Sequence, residues 1–245
     1  MRAATYSRTG PAAEVLSVID MPDPKPASGE VVVRIHASGI NPADVKRRAG
    51  WNGMQMAHPL VIPHCDGAGV IVQTGEGVSK DRIGERVWLW NAQGGYGEAG
   101  RAYGTAAERI ALPSEQAVRL SDKLSFEEGA CLVVPGLTSW LLGKTAQVAT
   151  INRHTEDVAA RVRELTDGKG AHRVIEVDLA ANLETDIACL AAHGTIASYS
   201  CSSDPTPTLP YYKLADLGAV IRFVQGFRLT ADQRKAANAM LTELS

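Results

Sequence analysis

His64, Cys65 and Asp66 stand in succession, an imidazole, a thiol and a carboxylate, the side-chain types from which metal sites are built. Catalytic zinc needs three protein ligands and an open fourth position. One soft donor at Cys65, with Asp66 beside it, does not make that site, and a two-ligand site completed by His64, the only other donor, would hold zinc poorly. The other cysteines, Cys131, Cys189 and Cys201, are far apart and form no C-x-x-C pair, so neither a zinc ribbon nor a thioredoxin-type motif is available. No metal is expected, and Cys65 is read as a structural residue. Gly95, Gly97 and Gly100 match G-x-G-x-x-G. That spacing binds a dinucleotide only between a strand and a long helix, whereas residues 101–105 contain a further glycine and lead into a strand. The stretch is read as a glycine loop. His36 lies on the polar face of a strand with nothing nearby to pair with it, and is read as solvated or locally bonded.

The elements that must position these residues fall into two styles. From residue 2 to 119 short strands alternate with Gly- and Pro-rich turns, an all-β pattern suggesting a small β-barrel-like module. Strands are expected at 15–19, 30–37, 67–72, 86–90 and 108–112. Val31, Val33 and Ile35 lie on one face of the second and Val32, Arg34 and His36 on the other, the period of a half-buried strand. After residue 119 helices and strands alternate. Ser125 caps a helix with Glu127 and Glu128 in its first turn, and Pro135 breaks it or opens another. Thr155 is expected to cap a helix over 156–166 with Val158, Val162 and Leu165 on one stripe. Strands over 173–177, 194–199 and 219–224, the first read as a buried parallel strand, a helix over 182–191 and a closing helix over 230–244 complete a βαβ pattern.

Composition narrows the function classes. Twenty-five Lys and Arg against 27 Asp and Glu leave a net charge of −2, without the basic footprint of a nucleic-acid or anionic-membrane binder. The longest apolar run, 129–142, is too short to span a bilayer and contains Pro135. The amino-terminal residues are mixed and polar, so a cytoplasmic, reducing location is expected. With 245 residues, 45% hydrophobic and 21% charged, the chain has room for two ordinary globular domains.

Three motifs occur in order: Ala37-Ser38-Gly39-Ile40-Asn41-Pro42-Ala43-Asp44, then Pro63-His64-Cys65-Asp66-Gly67-Ala68-Gly69-Val70, then Gly136-Leu137-Thr138-Ser139-Trp140. Together they resemble the zinc-free, zeta-crystallin-like quinone oxidoreductases of the medium-chain dehydrogenase/reductase superfamily. The resemblance implies an α/β chain with a β-rich part: a GroES-like β-barrel domain, residues 1–122, followed by a Rossmann domain, a doubly wound parallel sheet, at 123–245. In zinc-dependent relatives a Cys stands at the position of Asn41 and a His-Glu pair at Cys65 and Asp66, so the implied chemistry is metal-free. It is hydride transfer from NADPH to a quinone or conjugated enone in a homodimer. The resemblance assigns Asn41, Asp44 and Thr138 to catalysis, and Asn41, Thr138, Ser200 and Phe223 to cofactor contact. Lys46 stands where such families often place a Tyr, and Trp51 is the nearest aromatic.

One departure is large. Between the equivalents of Thr145 and Ala149 the relatives carry a strand, the Gly-rich phosphate turn, its helix and a second strand, so the Rossmann domain here is partial, lacking its first strands and its Gly-rich turn. The alternatives are a join, somewhere in 142–152, between segments that are apart in a longer chain, a deletion that leaves a cofactor-less pseudoenzyme, or strands supplied by a partner subunit. An enoyl or alkenal reductase is the alternative enzyme.

Overall fold

The computed structural model describes residues 1–94, 100–132, 150–225, 230, 232, 233, 236 and 239. Gly95, Gly97, Thr138, most of the junction at 142–152 and most of the expected closing helix lie outside the described residues. The chain divides into two compact units, Met1–Leu137 with Phe227–Ser245, and Thr138–Gly226.

The first unit is β-rich. β1 (Arg2–Thr5) pairs antiparallel with β2 (Ser17–Asp20), separated by the one-turn helix α1 (Ala12–Val15). Val15 was expected to open a strand; instead Pro11, fixed at φ −59°, starts a turn of good helix formers and the strand begins at Ser17. Five further strands, β3 (Glu30–Gly39), β4 (Asp66–Thr74), β5 (Arg86–Leu89), β6 (Arg109–Pro113) and β7 (Ala117–Arg119), form an antiparallel sheet in the order β6-β3-β4-β5-β7. Val31, Val33, Ile71, Val87, Leu89, Ile110 and Leu112 meet in its core, with Ile35 packed against them. The half-buried reading of β3 fails at its start: Val32, on the opposite face, is as fully buried as Val31 and Val33. Alternation returns only beyond it, at exposed Arg34 and His36. His36 is not simply solvated, because its ring stacks on Phe126 with centroids 4.3 Å apart.

Helix α2 (Pro42–Ala49) follows β3 directly, with Asn41 as its N-cap, Pro42 pre-set at the first turn and Gly50 ending it at φ 70°. Helix α3 (Phe126–Ala130) begins as expected: Ser125 Oγ accepts the Glu128 N–H at 3.1 Å, and a Glu128 carboxylate oxygen accepts the Ser125 N–H at 2.8 Å.

The second unit holds a parallel sheet of three strands, β8 (Ala171–Glu176), β9 (Leu190–Ser198) and β10 (Val220–Phe223), in the order β10-β9-β8. Helix α4 (Val158–Leu165) precedes β8, and helices α5 (Leu179–Cys189) and α6 (Tyr211–Asp216) connect the strands. The cap of α4 is Asp157, not Thr155, because the Asp157 carboxylate reaches the Ala160 N–H at 3.0 Å. Leu179, Leu183, Leu190 and Ile196 form the core, whereas Leu165, at the end of the expected stripe, is exposed. The expected burial of the first parallel strand does not hold either. Ile175 of β8 is 42% exposed, since β8 is an edge among the described strands.

Two carboxyl groups are buried together where α5 packs on β8, Glu176 and Asp186. Asn182 Nδ2 donates to Glu176 Oε1 at 2.9 Å, and the Asp178 N–H donates to the same oxygen. Burial, the Glu176 charge and a hydrogen bond to Glu176 push the Asp186 carboxyl up to about 7. A folded-state value above the ordinary ~4 means that stability is present in acid and lost as pH rises to about 7. Asp186→Asn is therefore expected to lose that decline, so that the variant gains on the wild type between pH 5 and pH 8 in urea titrations. Separately, Gly69 lies opposite Ile35 where β3 and β4 approach closely, and a Cβ there would strike the Arg34 carbonyl. Gly69→Ala should cost about 1–3 kcal/mol, read as a lower urea midpoint.

Candidate functional site

Two of the sequence-derived site residues come together where β3 runs into α2. The Asn41 N–H donates to Asp44 Oδ2 at 2.8 Å, so the carboxylate at the helix's third position closes back on the cap. The Asn41 side-chain amide donates to Asp66 Oδ2 at 2.9 Å. Asn41, Asp44 and Asp66 are all buried, and Asp44 Oδ1 has no hydrogen-bond partner among the described residues. Burial raises the affinity of Asp44 for a proton, opposed by the Asn41 N–H and by positive charge at His64 and Arg47.

Around these residues lies a polar cluster that the sequence did not single out. Ser38 Oγ stands 2.9 Å from His64 Nδ1 and 2.8 Å from Thr105 Oγ1, and Thr105 Oγ1 donates to the Asp66 main-chain carbonyl at 2.6 Å. Register explains the meeting: Ser38 is opposite Gly67 and Gly39 opposite Asp66, so the end of β3 lies against the start of β4. His64 has φ 78°, a region that few residues other than glycine occupy. Burial lowers its affinity for a proton, with the Asp44 charge acting the other way. Sequence spacing brought His64 into view only as a metal donor; nothing in the sequence pointed to Thr105.

Cys65 is fully buried beside this cluster. Its thiol is pushed up to about 12 by burial and by the charges of Asp44 and Asp66, with Arg47 opposing. It is therefore a neutral thiol at physiological pH rather than a thiolate nucleophile. Arg47 Nη1 donates to Gln93 Oε1 at 3.2 Å and lies 3.6 Å from Cys65 Sγ, while Gln93 Nε2 donates to the Ile62 carbonyl at 2.8 Å. Among the described residues no group of three or more His, Cys, Asp or Glu side chains could hold a metal. Lys46 Nζ sits 4.7 Å from the centre of the Trp51 ring, a cation–π contact at the end of α2.

The other two candidates belong to the second unit. Phe223 pairs in register with Ser198, and Ser200 lies two residues beyond it, so both occupy the carboxyl ends of neighbouring parallel strands, where open α/β sheets bind ligands. Phe223 is 73% exposed, and Ser200 Oγ is 3.0 Å from Ser202 Oγ. In the same loop the N–H groups of Ser202 and Ser203 converge on the Asp178 carboxylate, at 3.1 Å each in their shorter contacts. Thr138 lies outside the described residues.

Comparison with known proteins agrees with this architecture. The family model described as the alcohol dehydrogenase GroES-like domain matches residues 27–122. Quinone oxidoreductase of Sus scrofa is 33% identical over 123 residues, covering 50% of this chain and 34% of the relative. The synaptic vesicle membrane protein VAT-1 homolog of Rattus norvegicus is 34% identical over 119 residues, covering 49% and 27%. The chain thus spans about a quarter to a third of the length of these curated relatives. Among solved structures, quinone oxidoreductase of Pseudomonas syringae pv. Tomato DC3000 superimposes with a TM-score of 0.77 at 24% identity, covering 99% of this chain and 87% of that one. Escherichia coli quinone oxidoreductase complexed with NADPH gives 0.75 at 20% identity, covering 100% and 87%. The chain thus carries an alcohol dehydrogenase GroES-like domain at residues 27–122, is similar in sequence to quinone oxidoreductases over about half of its length, and shares the fold of solved quinone oxidoreductases.

Proposed function

We propose that this protein is an NADPH-dependent oxidoreductase that reduces a quinone or a conjugated enone without a metal. The observation that carries this reading is the state of the residues at the positions of the zinc ligands. The Asn41 amide donates to Asp66 and Arg47 Nη1 lies 3.6 Å from Cys65 Sγ, an internal polar network at those positions that supports the metal-free reading. NADPH, when bound, supplies the hydride. In the first unit Asn41 and Asp44 supply buried polar groups that position the reacting end; Thr138 is assigned by resemblance alone, as are Ser200 and Phe223 of the second unit for cofactor contact.

The residues present suit the ribose and nicotinamide end of the cofactor, which calls for hydroxyl and amide partners and a flat apolar surface. The pyrophosphate calls for backbone N–H groups at a helix start, and the converging N–H groups of Ser202 and Ser203 are already taken by Asp178. That loop favours, as the second reading, a cofactor-less binding protein. A substrate domain at 1–122, a nucleotide domain at 123–245, a homodimer joined through the open edge of β10 and a cytoplasmic location complete the proposal. Among the described residues no helix is long and apolar enough to cross a membrane.

The test is NADPH oxidation with a quinone and with an enone, followed by absorbance. Turnover with either, unchanged after dialysis against EDTA, is expected; no turnover together with no quenching of NADPH fluorescence would leave the binding-protein reading in place. Asn41→Ala removes a helix cap and the amide on a buried carboxylate. It should lower stability by about 1–2 kcal/mol and turnover about tenfold or more, measured on protein shown to be folded by circular dichroism.

A further inference from the structure

The polar cluster at the start of β4 contains a direction. A carbonyl can only accept, so the single hydroxyl proton of Thr105 goes to the Asp66 carbonyl at 2.6 Å. Toward Ser38, 2.8 Å away, Thr105 Oγ1 is then the acceptor and Ser38 Oγ the donor. With its proton so committed, Ser38 can only accept from His64 Nδ1 at 2.9 Å. His64 Nδ1 therefore carries hydrogen, and in the neutral ring Nε2 is a bare acceptor.

The backbone holds this arrangement against strain. His64 keeps φ 78° while the Gly104 N–H donates to the Ile62 carbonyl at 2.8 Å, Thr105 N–H to the His64 carbonyl at 3.1 Å and Ala106 N–H to the Pro63 carbonyl at 3.1 Å. Gly104 lies so close to the Pro63 and His64 carbonyls that a Cβ would collide with both. The segment that fixes the histidine is thus the segment that carries Thr105. Asp44 and Arg47 on α2 are the charged groups facing this cluster, with Cys65 and Asp66 next in the chain.

We propose that the chain Thr105–Ser38–His64 holds His64 as its Nδ1–H tautomer so that Nε2 relays the proton that completes reduction of the substrate. The proposal rests on the hydride-transfer reading above. Hydride adds two electrons and one hydrogen to the quinone or enone and leaves negative charge on its oxygen. The new O–H bond forms with the proton on Nε2 of the imidazolium, that N–H bond breaks, and the ring returns to the neutral Nδ1–H form. Water then reprotonates Nε2.

The experiment is nitrogen-15 NMR of histidine-labelled protein combined with pH profiles of kcat. The His64 resonances should be those of a protonated Nδ1 and a bare Nε2, and Ser38→Ala should shift the population toward the other tautomer. Wild-type kcat should be highest in acid and fall as pH rises through the His64 titration, which burial sets below the ordinary imidazole value. His64→Asn, chosen because Asn tolerates positive φ, should lower kcat about 100-fold and flatten that limb. Asp44→Asn should move the limb to lower pH. Turnover by a wild type whose His64 carries hydrogen on Nε2, or an unchanged profile in His64→Asn, overturns the relay alone. A wild type that never oxidises NADPH overturns the hydride-transfer reading and the relay with it.

Discussion

The pairing of β3 with β4 is the contact on which the first unit depends. Its register sets the end of one strand against the start of the other, with Gly39 opposite Asp66 and Ser38 opposite Gly67. Side chains more than twenty residues apart in sequence thereby become neighbours, and the chain leaves β3 directly into the capped start of α2. A shift by one residue would turn every side chain on β3 to the opposite face. Two irregularities, between Val32 and Val33 and between Ile35 and Ala37, adjust the phase along the pair, and the absence of a side chain at Gly69 permits the close approach between them. The same pairing thus builds the valine core and aligns the polar cluster.

Burial does most to set the chemistry of that cluster. It disfavours charge on Asp44, His64 and Cys65 alike, while the first two act on each other with opposite signs. A buried thiol next to two carboxylates is held neutral, whereas a buried imidazole next to one carboxylate keeps access to both its states. The asymmetry arises because a negative neighbour adds to the burial penalty of a thiolate and subtracts from that of an imidazolium. Residues adjacent in the chain, His64 and Cys65, are in this way sorted into a titratable group and an inert one.

Much of this was legible from residue type and spacing. The alternation of β3 beyond Val33, the Ser125 cap and the strand-rich first part followed from local pattern, and the motifs at 37–44 and 63–70 carried the resemblance. What was not legible is instructive. Val32 escaped because burial of a second strand face depends on a layer from elsewhere in the chain. Thr155 and Asp157 are both acceptable caps, and only the carboxylate that meets the Ala160 N–H decides between them. Thr105 sits in a loop without periodicity, 39 residues from the carbonyl it bonds. His64 was noticed for its nitrogen atoms, but its role is determined by which of them already carries hydrogen, and that follows from two hydroxyl groups remote in sequence.

The second unit obeys a different constraint. Parallel strands joined through helices are ordinarily covered on both faces, which is why they are rich in β-branched residues. β8 and β10 have that composition, yet Ile175 and Val220 are 42% and 52% exposed, and β8 and β10 are the edges of the described sheet. An apolar edge with unpaired N–H and C=O groups favours association with another strand, whether that strand comes from the same chain or a second copy. Unlike Val31 and Leu112, which are fully buried, these residues are left partly open to solvent. The loops at the carboxyl ends of β8, β9 and β10 are organised already, with Asp178 tied to Ser202 and Ser203 and Val224 N–H bonded to the Ser198 carbonyl at 2.8 Å. The carboxyl end of this sheet is therefore set by local hydrogen bonds, independently of how its edges are covered.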